Sequence, residues 1–195
     1  MPHTVAQLNI MALEKILKKH IGDFASENTA ARVVFRGLEV MGVGLWPVLD
    51  HFLFRSANPE ERAREFTELG YTRDISSRIL GRPRDPVHVY RCRCLPAILI
   101  EETRAPESKK WGKVFGENAP YVMGIRVADI DEATFHLEKQ AVRFLRPGAG
   151  KPGEDIRAIA AIPAFQDGKG KSVLLLIERH VTGVNYFAPG FWNKA

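Results

Sequence analysis

The sequence predicts an α+β protein made of two tandem βαβββ units behind an N-terminal helical extension. Three observations lead there: one order of elements occurs twice, the two copies superpose on matching residues, and an amphipathic stretch precedes them. In the first copy the strand "PVLDHFLFR" leads into a helix from about Pro59 to Leu69. Asn58 is placed to cap that helix, Pro59 to occupy its first position, and Glu60 and Glu61 to sit near its positive end, with Gly70 as the stop. A short strand near Tyr71 to Ser76 and the strands "VHVYRCR" and "AILIEETR" complete the unit.

The second copy repeats this order. "YVMGIRVA" runs into a helix that begins at Asp129, followed by "AVRFLRP", a Gly/Pro loop, "DIRAIAAIP", a turn at "QDGKGK" and "SVLLLIERH". Aligning "HFLFRSANPEE" with "VMGIRVADIDE" superposes Arg55 on Arg126 and Phe54 on Ile125, and aligning "PAILIEE" with "SVLLLIE" superposes Glu102 on Glu178. In this register His51 falls on Val122. Ahead of both units, residues 5 to 22 carry Leu13, Ile16, Leu17 and Ile21 at helical spacing, and Gly37 to Pro47 read as a loop. The expected organisation is a helical extension and loop over 1–46, a first unit over 47–105, a linker over 106–118, a second unit over 119–182 and an aromatic tail over 183–195.

With 195 residues, 45% hydrophobic and 26% charged, the composition is that of a soluble globular protein with room for one sizeable core. No apolar run approaches the ~20 residues that cross a bilayer, and the first residues lack the pattern of a signal peptide, so no membrane partner and a cytoplasmic location are expected. Cys92 and Cys94, two apart in one strand, suit reduced thiols better than a disulfide. The net charge of +5 is scattered along the chain, with no basic stripe interleaved with aromatics, which favours a small anionic ligand over nucleic acid.

Alternation along a strand gives each candidate a face. His51 and Arg55 point with Leu49 and Leu53, while Asp50, Phe52 and Phe54 point the other way; Val122, Gly124 and Arg126 share a face. Glu102 points with Ile98 and Ile100, and Glu178 with Leu174, Leu176 and His180. A carboxylate on an aliphatic face is costly unless it is paired or binds a metal.

These residues resemble the vicinal oxygen chelate superfamily, in which two βαβββ units form curved mixed sheets around a cavity that encloses a divalent metal. The stretch "LDHFLFRSANPEERAREFTELGY" looks like its opening strand and helix. Within it, "DHFLFR", "LPAILIEE", "VMGIR" and "LLLIERH" are similar to the 2-oxoadipate dioxygenase/decarboxylase, or hydroxyglutarate synthase, family, over residues 47 to 182. The resemblance implies Fe(II) held by two histidines and a carboxylate, with open positions for a 2-oxo acid and O2, and Arg55 as the anchor of the substrate's distal carboxylate. Arg126 would support the substrate's other side. The sequence departs from the family where the second histidine belongs, since Val122 stands there, and the Glu-Arg match places the family's carboxylate position at Leu175. One loop shift would turn Glu178 inward with His180 beside it, which gives His51, Glu178 and His180 as a substitute metal set, with Glu102, His88 and Cys92 as alternative ligands. The leading expectation is thus a metal-dependent enzyme acting on a small carboxylic acid. The competing one, favoured by Val122, is a non-catalytic binding protein of the same fold with no metal.

Plainer readings stand beside these. For His51 the plainer reading is a satisfied polar residue at a strand centre, and for Arg55 and Arg126 strand-end arginines, Arg126 with the option of a carboxylate partner across the axis between the units. His88, Tyr90, Cys92 and Cys94 share a face that suits a soft metal or ordinary burial of cysteine. "RPGAGKPGED" lacks the spacing of a phosphate loop. The aromatics of "VNYFAPGFWNKA" either cover the open mouth of the sheet or pack against a second subunit of a homodimer.

Overall fold

Two helices come first in the computed structural model, which describes residues 5–44, 48–79, 85–93, 95–166, 169–180 and 186–187. Helix α1 (Val5–Glu27) buries Leu13, Leu17, His20 and Phe24, a stripe at helical spacing. Its length exceeds the expected 5–22 segment, and a second helix, α2 (Thr29–Val40), runs through Gly37 to Val40, the first residues of the stretch expected as a loop. Asn28 makes the corner between them: its Oδ1 accepts from Ala31 N, and its Nδ2 donates to the carbonyl and hydroxyl of Ser172 on the last long strand. None of the helices is long and apolar enough to span a membrane.

The first unit follows as β1 (Leu49–Ser56), α3 (Pro59–Thr67), β2 (Thr72–Arg73), β3 (Arg78–Ile79), β4 (Val87–Arg91) and β5 (Ala97–Glu102). Helix α4 (Pro106–Phe115) lies in the stretch expected as a linker. Pro106 at its first turn and Trp111 on its buried face outweigh Gly112, a residue that disfavours helix interiors. The second unit comprises β6 (Val122–Val127), α5 (Ile130–Glu138), β7 (Ile156–Ala160), β8 (Ala164–Gln166) and β9 (Lys169–Arg179), and β10 (Tyr186–Phe187) lies in the tail. The expected strand "AVRFLRP" is reduced to a single bridge, Phe144 to Ala161. Asn58 and Asp129 cap α3 and α5 in the same way, each side chain accepting from the backbone N–H three residues on.

The sheet runs β2-β4-β5-β1-β6-β9-β7, with β8 also on β9. Each unit contributes a parallel pair, β1 with β5 and β6 with β9, and the units meet through the antiparallel pair β1 and β6. Phe52 lies opposite Met123 at that seam, and these two residues are also each other's counterparts in the repeat, so the pseudo-twofold axis passes between them. One sheet face carries Phe52, Phe54, Ile98, Ile100, Met123, Ile125, Leu174 and Leu176 against the helices. The other is the concave face, where Leu53, Leu99, Val122, Leu175 and Ile177 meet Trp111, Tyr121 and Phe187. Phe187 therefore covers this face, the first of the two roles expected for the tail aromatics; the other three aromatics of that tail have side chains outside the described set.

Candidate functional site

The concave face carries a charged group at each end, and both are built on the seam. At one end a bulge in β1 changes the pattern that alternation predicts. Leu49 pairs with Ile125 and His51 with Gly124, so an extra residue sits between them. The bulge turns Asp50 toward the side of its neighbour, where its Oδ2 lies 2.8 Å from His51 Nδ1. Asp50 also accepts from Arg126 Nε at 2.7 Å and from Arg179 Nε and Nη2 at 2.7 and 2.8 Å. Burial opposes ionisation of Asp50, but the bonds from His51 and Arg179 outweigh it and hold its carboxyl well below the usual range. An ionised carboxylate only accepts, so His51 Nδ1 carries a hydrogen and, in the neutral ring, Nε2 carries the lone pair.

That ring is fully buried, with Nε2 lacking a hydrogen-bond partner among the described residues. It lies over Gly124, where a Cβ would come within 2.7 Å of its Cε1 and Nδ1 and 2.9 Å of Ile177 Cδ1. Phe187 meets it edge-on, with ring centroids 5.3 Å apart. Gly124→Ala is expected to cost about 1–3 kcal/mol of stability and to displace the imidazole, read as a chemical-shift change at His51.

At the other end Arg55 donates from Nε to Glu101 Oε2 at 2.6 Å, with Glu101 buried. The guanidinium lies 3.6 Å from the centre of the Tyr121 ring and 5.4 Å from that of Trp111. Burial is the main cause that pushes the Tyr121 hydroxyl above its ordinary pKa. Beside this group opens a cavity of about 520 Å3 with Arg55, Trp111 and Tyr121 in its wall and Lys110, Lys113, Lys169, Asp85 and Glu107 around it.

The two ends are counterparts. The interval that relates Arg55 to Arg126 also relates Asp50 to Tyr121 and His51 to Val122. Arg126 therefore pairs with a carboxylate across the axis, and Arg55 stacks on an aromatic ring across the same axis.

Other expected residues lie elsewhere. The expected grouping of His51 with Glu178 and His180 does not form. Glu178 keeps its alternation with Leu174 and Leu176, which face the helices, and its Oε2 accepts from Ile130 N at the start of α5 and from Arg157. His180, just past the end of β9, is paired with Glu178. Glu102 likewise lies off the concave face: Arg104 grips it, with His88 Nε2 3.5 Å away, and His88 is also bound to Arg73. Cys92 is a half-buried free thiol, and Cys94 lies outside the described residues.

A metal fits this donor set poorly. Leu53, Leu99, Val122, Leu175 and Ile177 present only carbon on the concave face, and the Asp50 oxygens are occupied by two arginines and the imidazole. Among the described residues no three His, Cys, Asp or Glu side chains gather as a metal site would require.

Asp50, Glu101, Arg179 and Gly124 were not singled out by sequence. The usable signals were the adjacency of Asp50 to His51 and the second glutamate of "IEE".

No protein-family profile and no curated protein matches the chain. Solved structures do match. A glyoxalase-superfamily protein of Ralstonia eutropha JMP134 is 11% identical, with a TM-score of 0.69 over 97% of this chain and 90% of that one. A Shewanella frigidimarina NCIMB 400 protein that bears the name of a hydrolase is 13% identical, with a TM-score of 0.68 over 97% and 100%. Hydroxyglutarate synthase from Oryza sativa, solved in complex with 2-oxoadipate, is 14% identical, with a TM-score of 0.64 over 94% and 84%. At such identities the likeness is one of architecture: the chain has the glyoxalase, or vicinal oxygen chelate, fold, with its two βαβββ units joined at one central antiparallel pair.

Proposed function

We propose that this chain binds a small carboxylate in the cavity beside Arg55 and does so without a metal. The observation that carries the reading is the chemistry of the concave face, where one imidazole stands among aliphatic side chains. Iron(II) dioxygenase chemistry requires a second histidine and a carboxylate ligand, and Val122 and Leu175 hold those positions. The reading of a binding protein that keeps the cavity and the arginines is the better fit. Its ligand is anionic because Lys110, Lys113 and Lys169 outnumber Asp85 and Glu107 around the cavity, while Arg55 is paired with Glu101. Trp111 and Tyr121 offer aromatic surface to an apolar body. The neighbouring hydroxyglutarate synthase holds 2-oxoadipate, which makes that dicarboxylate a suitable probe.

Calorimetric titration with 2-oxoadipate is expected to give the same affinity with and without EDTA, and Lys169→Ala to weaken it by about threefold to tenfold, up to ~1.4 kcal/mol. Loss of binding in EDTA, or one equivalent of Fe, Mn, Ni or Zn that is retained by the wild type and lost in His51→Ala, would overturn the reading.

A further inference from the structure

We infer that the groove between α2 and α5, on the sheet face opposite the concave one, is a second ligand site that takes a carboxylic acid with a straight alkyl chain. A cavity of about 700 Å3 opens there, with Val33, Leu38, Ile125, Leu137 and Leu176 in its wall. Small-molecule pockets run from ~300 to ~1,000 Å3 and are mostly apolar with a few placed polar groups.

The first unit shows what closes such a groove. The interval that relates Arg55 to Arg126 also relates Phe54 to Ile125, Arg62 to Ala133 and Phe66 to Leu137. In the first unit the Arg62 guanidinium lies over the Phe54 and Phe66 rings, and His20 of α1 packs its own ring against both. In the second unit each of those three positions carries a smaller side chain, and α2 lines the space with Val33, Val34 and Gly37. A Cβ added at Gly37 would meet nothing within 4 Å. The repeat has thus kept the groove and lost its filling.

Charge in the lining favours an anionic head. Arg36 has no hydrogen bond or ion pair among the described residues, and the Arg126 side chain is 54% exposed and donates to Asp50 through Nε alone. Against these two guanidinium groups the lining holds one carboxylate, Glu132, with His136 3.9 Å from it. Val40 and Met41, also in the lining, are 81% and 67% exposed, apolar surface that an alkyl chain would cover.

Calorimetric titration with monomeric decanoate tests this, and the wild type is expected to bind one equivalent. Gly37→Leu puts a side chain into the space and suits a helix better than glycine, so Tm is expected to hold or rise while decanoate binding weakens by about tenfold or more. Ala133→Met, from the opposite wall, is expected to act in the same direction. Arg36→Gln is expected to weaken decanoate by about threefold, and 1-decanol to bind the wild type more weakly than decanoate. The inference fails if decanoate shows no saturable site, if both cavity-filling variants bind it as the wild type does, or if decanol binds as tightly. A concentration-dependent dimer in sedimentation, broken by Gly37→Leu, would assign the groove to a second copy of the chain and overturn it as well. Gly37→Leu is expected to leave 2-oxoadipate binding unchanged, and Lys169→Ala to leave decanoate binding unchanged, so this site and the Arg55 cavity stand or fall separately.

Discussion

Asp50→Ala is expected to lower the unfolding free energy by about 3–5 kcal/mol, measured as a shift of the urea midpoint at unchanged slope. The magnitude follows from what the substitution leaves behind. Asp50 is almost fully buried and accepts from His51, Arg126 and Arg179. Without it, the Arg179 guanidinium, itself mostly buried, keeps its charge and loses the Asp50 carboxylate, and His51 Nδ1 loses its acceptor. Arg126→Ala is the instructive contrast. Its side chain is largely exposed, so its removal is expected to cost roughly 1 kcal/mol or less. The same carboxylate sets a pH dependence. Its folded-state pKa is depressed, so its contribution is complete above the unfolded value of ~3.9 and is lost progressively as pH falls below it. Asp50→Asn is expected to flatten that part of the acid limb, while other depressed carboxylates such as Asp74 keep theirs.

Arg55→Ala is expected to have a comparable effect, about 3–5 kcal/mol, for the complementary reason that it removes the arginine paired with a buried carboxylate. Glu101 is nearly inaccessible, and Arg55 supplies its charge partner from the neighbouring parallel strand. Removing both charges behaves differently. Arg55→Met combined with Glu101→Leu removes both members of the pair and adds apolar surface next to Trp111 and Leu99, so most of the single-variant loss is expected to be recovered. A thermodynamic cycle over the four proteins then gives the coupling directly. If the double variant is as unstable as Arg55→Ala alone, packing of the arginine on Tyr121 and Trp111 matters more than the charge pair.

Much of the architecture was legible because it rests on local chemistry. Asn58 with Pro59, and Asp129 with its acidic first turn, announce two helix starts, and the strands before them carry matching arginines. Alternation along β5 and β9 also correctly groups Glu102 with Ile98 and Glu178 with Leu174. What it does not say is which face of each strand the helices cover, since that depends on packing between distant segments. Glu178 was for that reason a reasonable metal candidate by type and became the acceptor that anchors α5. Helices α2 and α4 were missed because glycines and a helix-opening proline stand where a sequence reader sees loops. Asp50 was missed because alternation forbids it from sharing a side with His51, and a bulge is the local event that suspends alternation.

The fit of His51 over Gly124 also bears on how the two halves find each other. Strands of this kind can slide by two residues and still present the same faces. Sliding β1 along β6 by that step would set the imidazole against Val122 or Arg126, both of which carry the Cβ that Gly124 lacks. The histidine thus acts as a key and the glycine as its notch at the joint between the repeats. An error in joining the halves is thereby rejected at the seam, before any ligand is bound.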